Sequence, residues 1–299
     1  MHNHHGHHHH HHDTGQSNNL ATAFWLNTTF AVIELVGGFL TNSVAIMSDA
    51  LHDFGDSLAL GTAWYFDRKA KGQRDEVYTY GYKRFSLIGA LINAVVLTVG
   101  SVFILTEATQ RLFNPTQPDA DGMILLAIVG IIVNGIALIR LKKGTSVNER
   151  VISLHFVEDV LGWVAVLVGS VVMKFFDAPI IDPLLSIFIA AFILFNVYRN
   201  MREAFQIILQ GVPQNVSEEQ VKKELAVFSD IESTHDLHLW TLDGTYNILT
   251  THIVLTKAIE VHALEELKFK IKERLKTINI QHATIEFEVQ GIRCEQEHH

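Results

Sequence analysis

Residues 44–66 read VAIMSDALHDFGDSLALGTAWYF, and this stretch decides the fold. It is long enough to cross a bilayer core, which takes about 20 mostly apolar residues because every backbone polar group must pair within the helix. It nevertheless carries Asp49, His52, Asp53 and Asp56. Ionisable groups at such a depth cost roughly 2.5–3.5 kcal/mol each on insertion scales, so they are functional candidates from the outset. The chain around them offers no compensating cation. Its first basic residue is Arg68, and from Leu20 to Phe66 the only formal charges are Glu34, Asp49, Asp53 and Asp56.

Five further apolar runs lie at about residues 21–40, 85–109, 122–140, 151–175 and 180–201. A soluble helical protein with six such runs needs a polar shell that this composition lacks. Charged residues make up 18% of the 299, against roughly 25% in soluble domains. With 23 Lys and Arg against 32 Asp and Glu, the net charge is −9, and no basic face exists to neutralise phosphates. Nucleic acid is therefore excluded as a partner, and the lipid bilayer is the expected one. Cys294 stands alone, which excludes an internal disulfide framework and a Cys-rich zinc module.

Lys and Arg placement sets the expected orientation. Arg68, Lys69, Lys71, Arg74, Lys83 and Arg84 follow the second run, Arg140, Lys142, Lys143 and Arg150 follow the fourth, and Arg199 and Arg202 flank the end of the sixth. The opposite-side connections hold only Arg111 and Lys174. Both termini are thus expected in the cytoplasm, in a bacterial inner membrane, with no cleavable signal peptide. The expected organisation is a His-rich disordered tail (1–19), a six-helix transmembrane domain (20–210) and a cytoplasmic domain (211–299). The last has nine basic and fifteen acidic residues, net −6. Ser217 with Gln220 forms a capping-box pattern opening a helix to about Phe228. Alternating runs at about 235–242 and 246–255 flank Asp243-Gly244, a hairpin signal. An amphipathic helix at about 258–276 and a strand at 283–289 complete an αββαβ order, which fits a small α+β sandwich. The fold class is an α-helical membrane protein with six transmembrane helices plus a C-terminal α+β domain.

Two of the spans repeat one motif. The second holds His52 and Asp56, the fifth His155 and Asp159. Residues four apart lie on one helix face. Two such faces brought together present two imidazoles and two carboxylates, a tetrahedral set that suits zinc best. The alternative is a structural network of buried polar groups. Soft thiolates are absent from the set, which disfavours copper(I). Asp49 and Asp53 are expected either to orient His52 or to sit at a helix boundary facing water. Glu34, Asn93, Glu107 and Asn134 read as interhelical hydrogen-bonding residues, Asp182-Pro183 as the acidic start of the sixth helix, and Gly37, Gly38, Gly130 and Gly135 as points of close helix contact.

At these residues the chain resembles the cation diffusion facilitators, divalent-metal/proton antiporters, and looks closest to their zinc, cobalt and cadmium efflux branch. The resemblance runs from about Leu20 to Val289. It rests on Glu34-Leu35-Val36-Gly37-Gly38, Ser48-Asp49-Ala50-Leu51-His52-Asp53 with Asp56, Tyr80-Gly81-Tyr82-Lys83-Arg84, Glu107-Ala108 with Arg111-Leu112 and Pro115, His155 with Asp159, Asp182-Pro183, His235-Asp236-Leu237-His238-Leu239-Trp240 and Thr284-Ile285-Glu286-Phe287-Glu288. It implies a homodimer, a metallochaperone-like cytoplasmic domain, and a transport site of His52, Asp56, His155 and Asp159. In the family a His at the first of these positions goes with zinc preference and an Asp with broader use of cadmium, iron or manganese; with His52, zinc is the expected substrate, and cadmium or cobalt are further expected ions. It also implies a cytoplasmic site, since His235, His252, His262 and Glu288 fall where some relatives bind zinc at the dimer interface, there as a structural ion. Ordinary strand and surface histidines are the alternative. His238, three residues from His235, falls on the opposite strand face by period-two counting. The 67–84 loop has no histidine, against a second metal site there.

Residues 1–12 hold nine histidines. The uninterrupted His7–His12 fits a purification tag; the irregular residues before it favour a native metal-collecting tail. The expected activity is efflux of a divalent cation, zinc first, by alternating access. Zinc needs neutral imidazole, so metal and protons compete for the same nitrogens, and protons are the counter-substrate. Rival readings are an intramembrane zinc hydrolase, with Asp53 or Glu158 as base, and a membrane metal sensor. Four ligands leave a hydrolase no open position, and a sensor leaves the paired intramembrane motifs unexplained.

Overall fold

A computed structural model of the chain describes residues 14–70, 74–141 and 147–289. The N-terminal histidine run lies outside them. Six long helices come first: α1 (Thr14–Leu40), α2 (Val44–Ala70), α3 (Phe85–Phe113), α4 (Ala120–Leu141), α5 (Val147–Phe176) and α6 (Ile181–Ile208). Each expected span falls within one of them, apart from Ile180 just ahead of α6. The helices outrun the hydropathy signal because that signal marks only the lipid-matched portion. Among the described residues, α3, the Val157–Phe176 part of α5, and α6 are apolar and long enough to span by themselves. Asp49, Asp53 and Asp56 dilute the apolar character of α2.

The chain groups into two units, one of Met1–Phe66 with Gly89–Tyr198, the other of Asp67–Ile88 with the chain from Arg199 onward. In the helical unit, Ala45 and Ile46 of α2, Met123 and Ala127 of α4, and Trp163, Val166 and Met173 of α5 form one buried apolar cluster. Trp163 lies in a notch left by Gly130, where an added Cβ would stand 2.3 Å from the indole. Gly37 likewise admits Leu126, whereas Gly135 meets open space within 4 Å, so close helix contact does not explain it.

The connection between α1 and α2 is held from three sides. Asn42 takes a left-handed backbone (φ 52°). Arg111 of α3 donates to the Asn42 carbonyl (2.6 Å) and to its side-chain oxygen (2.9 Å), while its Nε donates to Glu107 (2.8 Å). The Asp119 N–H donates to the Thr41 carbonyl (2.8 Å). Asp182 is not the cap of its own helix that the sequence suggests. Its carboxylate accepts from Ser43 Oγ (2.5 Å), the Val44 N–H (2.9 Å) and the Ala45 N–H (3.2 Å), so it caps α2. Free N–H groups at a helix start need acceptors, and a carboxylate there also meets the positive end of the helix dipole. Asn134 also departs from expectation, since its amide donates to Gly130 of its own helix (3.2 Å).

In the second unit α7 (Glu218–Leu225), β1 (Ile231–Thr241), β2 (Asn247–Leu255), α8 (Val261–Lys276) and β3 (Ile280–Val289) give the expected αββαβ order. The capping box forms: Gln220 N–H donates to Ser217 Oγ and Ser217 N–H to Gln220 Oε1. The sheet order is β1-β2-β3, with β1 antiparallel and β3 parallel to β2. The α8 crossover makes the parallel pairing feasible. Leu267, Ile271 and Leu275, at four-residue spacing, bury one stripe of α8 against Leu249, Ile253 and Ala283 of the sheet. Each such side chain contributes about 1.5–3 kcal/mol. The hairpin at Asp243-Gly244 is longer than a two-residue turn. The Asp243 carboxylate accepts from the N–H groups of Thr245 (2.9 Å) and Tyr246 (2.7 Å), and Leu242 N–H closes on the Tyr246 carbonyl. The loop between α2 and α3 belongs to this unit: Lys83 Nζ stands 4.7 Å from the Tyr246 ring centre, and Tyr80 meets His282 edge-on.

Candidate metal centre

Two groups of possible ligands emerge. The first is on α2 and α5. Residues 52 and 56 are one turn apart, and the structure sets His52 Nε2 3.8 Å from Asp56 Oδ2. A tetrahedral ion with bonds of about 2.0–2.2 Å separates its ligand atoms by about 3.4 Å. The pair is therefore within about half an ångström of ligating distance. The side chains are 18% and 27% exposed, while Asp159 is buried. His155 lies one turn before Asp159 on α5. Its side chain is outside the described residues.

Helices α2 and α5 meet at this level. Asp49 Oδ1 stands 3.6 Å from where a Cβ on Gly162 of α5 would be. The Asp49 carboxyl feels the charges of His52 and Asp56 on its own helix and of Asp159 on α5. Trp163, four residues beyond Asp159, pins α5 by seating in α4 at Gly130. On the other side of α2, Leu97 and Leu51 interlock with Gly55 of α2 and Gly100 of α3. Asn27 of α1 donates to the Asp53 carbonyl (2.9 Å) and Ser57 Oγ (3.1 Å). Asp49 and Asp53 are buried in mid-helix, which removes the water-facing alternative for both. Asp53 turns to Glu34 of α1. Glu34 itself is buried with both oxygens lacking a hydrogen-bond donor.

The second group is on the sheet. His235 of β1 pairs directly with His252 of β2, and His252 pairs with Glu286 of β3, two residues before Glu288. Glu288 Oε1 lies 2.6 Å from His252 Nδ1, and its Oε2 lies 3.4 Å from His235 Nε2. One ligand atom from each of His235, His252 and Glu288 falls within 4.8 Å of the others. His262, exposed in the first turn of α8, is not brought to this group. Two neighbours went unrecognised as contributors. Asp236 Oδ2 stands 3.6 Å and Glu286 Oε2 3.5 Å from His252 Nε2. Asp236 Oδ1 also bonds His238 Nε2 at 2.9 Å. Asp236 occupies a register irregularity between His235 and His238 with φ 46°, so period-two counting does not hold across it. The run His-Asp-x-His was the available signal. In the adjoining α2–α3 loop, hydrogen bonds from Tyr82 and from the Tyr78 N–H hold Asp75 below the usual carboxylate range.

Residues 20–209 match the cation efflux transmembrane domain and residues 213–290 the cytoplasmic domain of cation efflux proteins. The chain belongs to the cation efflux family. Among curated relatives, the family includes the cadmium, cobalt and zinc/H(+)-K(+) antiporter of Bacillus subtilis, 32% identical over 91% of this chain and 89% of that protein. The metal cation efflux system protein CzcD of Cupriavidus metallidurans is 34% identical over 94% and 89%. Zinc transporter ZitB of Pectobacterium atrosepticum is 32% identical over 96% and 89%. The family is one of membrane transporters, not enzymes, and these names bear out the resemblance to the zinc, cobalt and cadmium efflux branch.

Proposed function

We propose that the protein exports zinc, with cadmium and cobalt as further substrates, in exchange for protons by alternating access. His52, Asp56, His155 and Asp159 are the coordinating set. The observation that carries this reading is the ligating separation of His52 and Asp56 on the face of α2 that shares Asp49's surroundings with Asp159 of α5. Two carboxylates balance a dication, so the loaded set is near neutral and suits a low-dielectric interior, where an unpaired charge is costly. Two imidazoles supply the coupling. Free histidine titrates near 6.5, and a protonated imidazole cannot ligate. Protons arriving on the acidic side therefore displace the metal, and deprotonation on the other side restores the site.

The protein works as a homodimer in a bacterial inner membrane with both termini in the cytoplasm. The His235, His252 and Glu288 group binds a structural or regulatory zinc ion. A hydrolase or a sensor is disfavoured, because the relatives are named as transporters and antiporters. The test is zinc uptake into proteoliposomes driven by a proton gradient. Wild type is expected to take up zinc, and Asp159→Ala to lose uptake altogether. Uptake by Asp159→Ala at half the wild-type rate or more would falsify the assignment.

A further inference from the structure

Helix α2 carries a second i, i+4 pair. Asp49 and Asp53 are one turn apart, as are His52 and Asp56, and the two stripes are offset by three residues, about 60° around the helix. The second stripe also has an acidic companion on another helix. Glu34 of α1 lies against Asp53 and within range of the charges of Asp49 and Asp159. We propose that Glu34, Asp49 and Asp53 form a second, oxygen-only site for a divalent cation, a station that reaches from the level of the His52–Asp56 pair toward the outer side of the membrane. The outward direction rests on the transport reading above; the site itself does not.

Depth is the first argument. Helices α1 and α2 are joined by the turn at 41–43, on the side away from the basic loops. Glu34 lies six residues from the end of α1 and Asp49 five residues from the start of α2, about 8–9 Å from that turn. His52, Asp53 and Asp56 lie about 12, 14 and 18 Å from it, so Asp53 is the inner end of the acidic set. Metal moving outward from them passes the level of Glu34 and Asp49. Glycine at 162 leaves the α5 side of Asp49 without a side chain, next to Asp159.

Charge is the second. Glu34, Asp49 and Asp53 are 1%, 6% and 2% exposed. Among the described ion pairs none joins them to Lys or Arg, and α1 and the first 24 residues of α2 contain neither. Carboxyls buried this close together without a basic partner must either hold protons or surround a cation. The third is the state of Glu34. Neither of its oxygens receives a donor from Lys, Arg, a hydroxyl or the backbone, and the group set against it is the Asp53 carboxyl. Two carboxyls adopt that arrangement either by sharing a proton or by flanking a cation, and the titration below separates the two. The donor set is hard oxygen without imidazole, so it holds first-row dications more weakly than a histidine set does and suits manganese as a probe. A weaker station favours release.

The experiment uses the full-length chain with Asp159→Ala and His252→Ala, which disable the other two groups, and with the nine histidines of residues 1–12 changed to serine, titrated with Mn2+ and read by pulsed EPR. One Mn2+ per chain without nitrogen modulation is expected. Adding Glu34→Gln should weaken it at least tenfold, and Glu34→Asp should retain it. The proposal is overturned if no oxygen-ligated Mn2+ binds, if Glu34→Gln leaves its affinity unchanged, or if the bound ion shows imidazole nitrogen. In otherwise wild-type protein, Glu34→Gln should lower zinc kcat about tenfold with KM within twofold. A changed pH profile with unchanged Mn2+ binding would mean that the cluster carries protons instead, and also overturns it. Zinc uptake surviving Asp159→Ala would remove the transport-site reading alone, leaving the manganese titration to judge this site.

Discussion

Removing the Asp182 carboxylate tests how α2 is held. Asp182→Ala strands three donors at once: Ser43 Oγ, the Val44 N–H and the Ala45 N–H, each on a fully buried residue. A buried donor left without an acceptor costs about 1–3 kcal/mol. Three near the lower half of that range give about 3–6 kcal/mol. The variant also relieves the desolvation of a buried carboxylate, which offsets about 1–2 kcal/mol of this. The net loss is about 2–4 kcal/mol. At about 2–4 °C per kcal/mol for a larger domain, unfolding should fall by roughly 5–15 °C. Asp182→Asn keeps one acceptor oxygen and should lose about half as much. The measurement is thermal unfolding of the purified protein in detergent, followed by intrinsic fluorescence. Asp182→Ala unfolding within 1 °C of wild type would refute the cap, because no arrangement of unsatisfied buried donors is that inexpensive.

Two other outcomes follow from packing and from the sheet. Gly130→Ala gains up to about 1 kcal/mol of helix propensity, but its methyl would sit 2.3 Å from the Trp163 ring, whose seat is closed on all sides. Overpacking of this kind costs about 1–3 kcal/mol, so the variant should be less stable than wild type in the same unfolding measurement; an equal or higher midpoint would show that the indole moves freely. His252→Ala removes a residue that contacts both Glu288 and Asp236. Equilibrium dialysis should then show zinc affinity in the cytoplasmic group reduced by at least tenfold, and unchanged zinc content would exclude that group as a metal site.

What could be read from the sequence was local. The six apolar runs, the Ser217–Gln220 box, the Leu267–Ile271–Leu275 stripe and the His52–Asp56 spacing all express a helix period or a cap within a few residues. The features that escaped are long-range or irregular. Asp182 caps a helix whose first residues precede it by 137 to 139 positions, and nothing in its own neighbourhood distinguishes that role from capping α6. Gly130 and Gly135 look alike in sequence, yet one receives an indole and the other nothing. Glu34 was visible as the lone charge of its run, but its companion Asp53 is defined by packing of α1 on α2. Asp236 was hidden because strand counting assumes regular alternation, and its left-handed backbone interrupts it.

The separation of scaffold from chemistry is what makes the transport site testable. The apolar cluster joining α2, α4 and α5 is built from Ala45, Ile46, Met123, Ala127, Trp163, Val166 and Met173, and includes none of His52, Asp56 or Asp159. The start of α2 is secured by Asp182, and its turn by Arg111 and the Asp119 N–H. Position along and around α2 is therefore fixed by groups about two to three turns away from the proposed ligands. Such a helix tolerates costly buried acids because distant packing offsets their cost, as expected where local consistency yields to a site. A variant at Asp159 should accordingly retain the fold, and its loss of zinc uptake would report on coordination. A variant at Asp182 or Gly130 should damage stability first. The opposite pattern, with Asp159→Ala unfolding earlier than Asp182→Ala, would mean that the buried carboxylates hold the helices together and that the structural polar network was the better reading.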